Sequence, residues 1–331
     1  MTVRTAANTA AGTDPAAAST TRTGRRAGAS RSARDSSRAV RRLGSGMPFV
    51  IPFLIVAFLF LIAPIVYGLW LSFTEQSLMG NGGWVGLANY VEAFGDATMW
   101  STLGHTLAFT LMSTIPLVLV ALIMALLVYI GIPGQWFWRL SFFAPYLLPV
   151  AVVVQIWTWL FNSDVGFINY WLVRFGLDKV GWLTDVNVAM WSMVILTVWW
   201  TVGFNFLLYL SSLQAIPDLL YEAAEVDGAG FWRKLFSITL PQLRGTTVLV
   251  ATLQVIASLK IFDQMFIAFA GGSGPEGSTR PILQYIYDTG FTNYRMGYAS
   301  AMSYIFFIVI IVITVAFRFL TRSRKDANNE R

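Results

Sequence analysis

Six stretches of this chain, roughly residues 48–73, 105–130, 137–161, 187–213, 243–270 and 296–320, are long and predominantly apolar. A helix needs about 20 such residues to cross ~30 Å of hydrocarbon. All six exceed that length, which leaves room for tilt or for extension beyond the lipid. None alternates in the manner of a barrel strand, none of the connecting segments reads as a soluble domain, and nothing repeats at a fixed period. The pattern predicts an all-α polytopic membrane protein with six transmembrane helices over residues 47–320. Composition agrees: 56% of the residues are hydrophobic and 12% are charged, about half the charge of an ordinary soluble domain.

The charge is unevenly placed. Residues 1–46 hold nine Arg and two Asp, a net of +7, so the other 285 residues sum to −1. The basic balance therefore belongs to a tail and not to a folded face, and a nucleic-acid partner loses its support. That tail is rich in Ala, Ser, Thr and Gly and cannot bury enough apolar area to offset its ordering entropy, so disorder is expected. Two readings fit it: an uncleaved cytoplasmic tail touching anionic lipid, and an organellar transit peptide. The first is preferred, and the first span is too long for a signal-peptide core. Lys and Arg at the span ends divide 18 on one side, counting both termini, against Arg174, Lys179, Arg280 and Arg295 on the other. The positive-inside rule then places both termini, including the tail at 321–331, in the cytoplasm. Zero Cys and a single His, His105, argue against disulfides, thiol nucleophiles, zinc sites and Ser–His–Asp triads, and no metal site is expected.

The connection between spans four and five, residues 215–241, carries the most information. Pro217 suits the first helical position, with Asp218 beside it at the positive end of the helix dipole. The helix is expected to run to about Val226, where Gly228 can adopt the left-handed conformation that ends it. A second short helix, from about Gly230 to Thr239, is expected to stop before Pro241. Ala223 and Ala224 are small enough for close approach by another protein, and Glu222, Glu225 and Asp227 offer acceptors. On these features alone, a solvated connector without a partner is an equal reading.

This segment resembles the cytoplasmic EAA loop of bacterial ABC importer permeases. The family pattern is Glu-Ala-Ala, three residues, Gly, nine residues, Ile, one residue, Leu-Pro; here Glu222, Ala223, Ala224, Gly228, Ile238, Leu240 and Pro241 occupy every fixed position. The resemblance extends over nearly all of residues 48–320. Trp84 to Tyr90 with Ala93-Phe94 is similar to the first outer loop of the carbohydrate-uptake subgroup. Phe262-Asp263, Gly271-Gly272, Tyr285-Ile-Tyr287 and Gly297 to Ala301 are similar to its later outer region and sixth span. Ser211-Ser212 and the Gly-Gly-Ser-Gly of the outer loop depart from the usual pattern without touching the coupling loop. The resemblance implies the type I ABC importer permease fold, residence in a bacterial cytoplasmic membrane, and a transport subunit, not an enzyme. The implied partners are a second permease of the same fold, two ATP-binding subunits, an extracytoplasmic solute-binding protein and a sugar substrate. The coupling helix would sit in a groove on an ATPase, with Glu222 as the charged contact and Ala223, Ala224, Asp227, Gly228, Ile238, Leu240 and Pro241 completing the coupling motif, and the ATPase would handle ATP and Mg. In agreement, the chain contains no Gly-Lys pair, and so no phosphate-cradling Walker loop.

Polar residues inside spans usually face protein or a cavity. Thr197, Thr201 and Asn205 recur every four residues in span four, and Thr247, Ala251, Gln254 and Ser258 form a second stripe in span five. A sugar path and interhelical hydrogen bonding both account for Thr201, Asn205, Gln254 and Ser258. Trp199 and Trp200 lie mid-span, away from the interfacial belt, and are read either as bulk packing or as sugar-stacking surfaces. Trp157 and Trp159 read as belt residues near the outer end of span three. Lys260 and Asp263, three residues apart, are expected to form a structural ion pair near the outer leaflet boundary, and His105 to start span two at the outer face. A rival class, an ion-coupled carrier acting without an ATPase, would need ionisable residues at mid-membrane, and only Lys260 and Asp263 come near that.

Overall fold

The computed structural model describes residues 50–77, 79, 80 and 82–329, with side chains up to residue 319 and at residue 321. The basic tail at 1–46 lies outside the described residues. Regular structure among the described residues is helical; extended pairing is confined to the isolated bridges Thr74–Trp84, Ser77–Gly80 and Ser77–Arg295. The chain divides into two compact units, residues up to Val66 and residues from Tyr67. The first holds most of α1 (Val50–Leu71), which is apolar all round and includes a π-helical stretch at Phe58–Ile62. Its large side chains up to Val66, Phe53, Phe60 and Leu61 among them, are exposed, as suits a helix bathed in lipid.

The second unit contains the remaining helices. These are α2 (Ala88–Gly95), α3 (Ala97–Tyr129), the pair α4 (Gln135–Leu147) and α5 (Val150–Leu160), α6 (Phe167–Arg174) and α7 (Ala189–Gln214). They are followed by α8 (Asp218–Val226), α9 (Phe231–Lys234), α10 (Arg244–Leu259), α11 (Asp263–Ala268), α12 (Ile282–Tyr287) and α13 (Met296–Asn329). The centre of the unit is the packing of α3 on α7. Small residues at Ala121 and Ala125 on α3 let Phe206, Tyr209 and Leu213 of α7 come close, and the cluster continues to Leu243 and Val250 of span five. Close approach through small residues is how helices associate where lipid removes the hydrophobic drive. Gly203 serves the other side of α7, since a Cβ there would stand 2.3 Å from the Phe142 carbonyl oxygen of α4.

Six uninterrupted spans are not what the structure contains. Val50–Leu71, α3, α7 and the Met296–Phe319 portion of α13 are long and apolar enough to cross a membrane as single helices. The third predicted span is instead two helices, α4 and α5, bent by 99°. Its cause is local: proline disfavours the helical region for the residue before it, Leu148 is extended (ψ 140°), and Pro149 caps α5. The fifth is also interrupted. α10 has 16 residues, ~24 Å at 1.5 Å per residue; it ends at Lys260, and Phe262 departs from helical geometry (φ −152°, ψ −64°) before α11 begins.

Smaller expectations also shift. The second span begins at Ala97, two turns before His105, because Asp96 caps α3: its Oδ1 accepts from the backbone N–H of Thr98 at 2.8 Å and of Met99 at 3.3 Å. His105 lies inside the helix, with Nδ1 3.3 Å from the carbonyl oxygen of Arg280. Trp157, expected at the interface, packs against Phe161 and Trp199. Lys260 and Asp263 are not joined by an ion pair. The pairs among the described residues are Lys179–Asp164, Lys234–Glu225, Arg280–Asp288 and Arg295–Glu92.

Candidate functional site

The loop between α7 and α10 is a helix–turn–helix with two differently dressed faces. Pro217 sits at the N-cap, one residue earlier than expected, and Asp218 opens α8. Gly228 takes φ +73° just beyond the Asp227 cap, a conformation that costs glycine little. The return limb does not stop at Pro241. α9 runs directly into a π-helical turn, Leu235–Thr239, in which the N–H of Leu240 donates to the Leu235 carbonyl, and Leu240–Gln242 remains helical. The wide turn just before Pro241 carries the chain past a residue that has no N–H to donate.

Side-chain exposure divides the motif by role. Glu222, Ala223, Asp227 and Gly228 are exposed, Ala224 is half-buried, and Leu219 and Val226 stand out into open space, Val226 at 89% exposure. An exposed helix presenting aliphatic residues, small alanines and a carboxylate has the form of a ligand for a groove on another protein. Ile238 points the other way and packs against the α3–α7–α10 core. Leu240 and Pro241, both half-buried, belong to the limb that holds the loop to the membrane body. Two side-chain contacts brace the loop: Lys234 Nζ to Glu225 Oε1 at 2.5 Å, and the hydroxyls of Tyr221 and Thr239 at 3.0 Å.

The polar residues of the spans come together in one place. Asn205 Nδ2 donates to Gln254 Oε1 at 3.1 Å, Gln254 Nε2 donates to Ser258 Oγ at 3.0 Å, and Ser258 Oγ lies 2.9 Å from Ser113 Oγ. All four residues are buried. Their polar atoms thus meet one another across α7, α10 and α3, which is the interhelical reading of the two stripes. Ser113 belongs to a third stripe of the same kind, Thr102, Thr106, Thr110 and Ser113 on α3, legible in the sequence by the same spacing and overlooked there. Thr201 bonds back to the Thr197 carbonyl at 2.8 Å, and Gln264 reaches Thr197 Oγ1 at 3.3 Å. Trp200 Nε1 donates to the carbonyl of Leu148, the residue at the α4–α5 bend. Trp199 meets Trp157 edge-on and leaves 39% of its surface accessible.

On the opposite side of the chain a second polar cluster went unread in the sequence. The Asp96 carboxylate that caps α3 also accepts from the Tyr285 hydroxyl at 2.6 Å and from the Tyr298 hydroxyl at 2.8 Å. Burial pushes the Asp96 carboxyl upward, but the tyrosine and backbone hydrogen bonds outweigh it and hold the group below the usual carboxylate range. Burial and the same carboxylate push the Tyr285 hydroxyl up to about 12. Around this centre Arg295 grips Glu92 through two bonds of 2.8 and 2.7 Å, Arg280 pairs with Asp288, and each guanidinium lies over a tyrosine ring. The partners are 189 and 202 residues from Asp96, beyond the reach of any local motif.

A helical chain built for lipid, with an exposed short helix on one side and a braced polar plate on the other, defines a membrane-embedded transport subunit. Residues 117–326 match the family described as the binding-protein-dependent transport system inner membrane component, and the chain belongs to that family, whose members are multi-pass inner membrane transport subunits and not enzymes. It is 33% identical to the probable ABC transporter permease protein YesP of Bacillus subtilis, over 84% of this chain and 91% of that one. It is 31% identical to the sulfoquinovosyl glycerol transport system permease protein SmoG of Agrobacterium fabrum, over 82% and 89%. A third relative, the trehalose/maltose transport system permease protein MalF of Thermococcus litoralis, is 29% identical over 85% and 95%. Its fold is that of a chain in a bacterial ABC transporter that imports the acidic polysaccharide alginate: TM-score 0.75, 22% identity, covering 87% of this chain and 99% of that one.

Proposed function

We propose that this chain is one of two permeases of an ATP-driven carbohydrate importer and that it couples to a cytoplasmic ATPase through residues 215–241. The observation that carries the reading is the outward face of α8, where Glu222, Ala223 and Asp227 lie exposed beside Leu219 and Val226. Ile238, Leu240 and Pro241 hold the loop in place, and Gly228 makes its turn. ATP and Mg belong to the ATPase pair, an external binding protein delivers the substrate, and both termini, with the tails at 1–46 and 321–331, are cytoplasmic. The carbohydrate class is supported by relatives named for sulfoquinovosyl glycerol and for trehalose and maltose. Asn205, Gln254 and Ser258 serve mainly to join the helices, which leaves Trp199, with Thr201 and Trp200 near it, as the more accessible candidates for touching sugar.

The test is reconstitution in liposomes with the second permease, ATPase and binding protein, following substrate-stimulated ATP hydrolysis. Glu222→Ala is expected to lower stimulation by at least tenfold, with weaker retention of the ATPase. Full stimulation in that variant would remove Glu222 from the coupling route. Transport by the chain with no ATPase present would overturn the importer reading itself.

A further inference from the structure

We infer that Tyr221 is the positioning residue through which displacement of α8 is delivered to the membrane helices; this rests on the coupling function proposed above. Of the nine residues of α8, seven are exposed, and only Tyr221 and Ala224, three apart on one face, are half-buried. Ala224 has a single methyl group to offer, so the grip on the body falls to the Tyr221 ring. That ring packs against the buried cluster in which Val128 of α3, Leu213 of α7 and Leu243 before α10 meet. One side chain thus joins the cluster that the cytoplasmic ends of spans two, four and five share.

Its hydroxyl makes a second connection. It lies 3.0 Å from Thr239 Oγ1; Thr239 is buried at the end of the π-helical turn, and its carbonyl accepts the N–H of Leu243, the residue that leads into α10. The hydroxyl thus adds to the ring's packing a polar link to span five, one hydroxyl pair and one backbone bond long. The other brace, Glu225–Lys234, has its carboxylate largely in solvent, where ion pairs hold weakly. Tyr221 itself faces away from Glu222, Leu219 and Val226. It acts behind the docking surface, and its loss is expected to spare ATPase binding while disconnecting α8 from the spans.

The experiment compares Tyr221→Ala, Tyr221→Leu and Tyr221→Phe with Glu222→Ala in the complete reconstituted importer. Three quantities are read: ATPase retained on purification, ATP hydrolysed, and substrate moved per ATP. Tyr221→Ala and Tyr221→Leu are expected to keep the ATPase and continue hydrolysis while substrate moved per ATP falls by about tenfold or more. Tyr221→Phe, which keeps the ring, is expected to recover most of that loss, whereas Glu222→Ala retains the ATPase weakly. Because the chain contains no Cys, spin labels at Asp218→Cys and Arg244→Cys report the α8–α10 separation directly. That distance is expected to be narrow in the parent and broadened in Tyr221→Leu. Unchanged transport per ATP with an unchanged distance distribution would overturn the inference. So would release of the ATPase by Tyr221→Leu, which would make Tyr221 a docking contact. An unsubstituted chain that never binds an ATPase would instead overturn the coupling function beneath it.

Discussion

Asp96 shows how one carboxylate can hold three elements. It caps α3, accepts the Tyr285 hydroxyl of α12 and accepts the Tyr298 hydroxyl at the start of α13. Two substitutions separate these roles. Asparagine is as good an N-cap as aspartate, so Asp96→Asn keeps the cap and loses the charge-assisted strength of the tyrosine bonds, at a cost of about 1 kcal/mol. Asp96→Ala loses the cap as well, for roughly another 1 kcal/mol. The pH dependence follows from the directions of the two shifts. The Asp96 carboxyl is lowered in the fold, so its contribution is present above the ordinary carboxylate range and is lost as pH falls through the folded value. The Tyr285 hydroxyl is raised, so its contribution is complete below pH 10.0 and is lost as pH rises toward about 12. Hydrogen exchange over residues 280–292 is therefore expected to stay slow between those edges, with the acid edge absent in Asp96→Asn. An acid edge of the same size in that variant would assign it to another group.

At the scale of elements, the chain of Asn205, Gln254, Ser258 and Ser113 ties α7, α10 and α3 across the middle of the unit. Hydrogen bonds between membrane helices are worth only ~0.6 kcal/mol each, but an orphaned buried amide costs about 1–3 kcal/mol. Asn205→Leu alone is thus expected to destabilise more than Asn205→Leu combined with Gln254→Leu is expected to add, and a double-mutant cycle in detergent measures the difference. Strictly additive losses would mean that the pair does not act as a unit. These elements also show where sequence reading works and where it stops. Hydropathy located α1, α3, α7 and α13 because a spanning helix is specified by length and composition. It could not resolve the bend at Leu148–Pro149 or the break at 260–262, since a running average carries no direction. Pro149 was a visible cue at the first. The second has neither Gly nor Pro and is settled by tertiary packing of Ile261 and Met265 against α5 and α7. The 215–241 loop was legible because its turn residues and motif are local, whereas the Asp96 cluster joins side chains nearly 200 residues apart and left no local trace.

For the whole molecule, the decisive property is sidedness. The exposed helix α8 and the Asp96 plate can only serve an importer if they meet opposite compartments, and the distribution of Lys and Arg, 18 against four, sets the expectation that labelling tests. The absence of Cys makes this directly measurable. Val226→Cys, at the exposed end of α8, is expected to react with a membrane-impermeant maleimide only in inside-out vesicles. Val165→Cys, in the exposed connection between α5 and α6, is expected to react only from the outer face of intact cells or right-side-out vesicles. The bent pair α4–α5 makes the second site the critical one. A pair that re-entered the membrane instead of crossing it would return residue 165 to the side of residue 133, so that Pro133→Cys, in the exposed turn before α4, and Val165→Cys would react from the same compartment. Labelling from opposite sides would mean that the 99° bend still carries the chain across, so that a broken span performs the crossing that hydropathy assigned to a straight one.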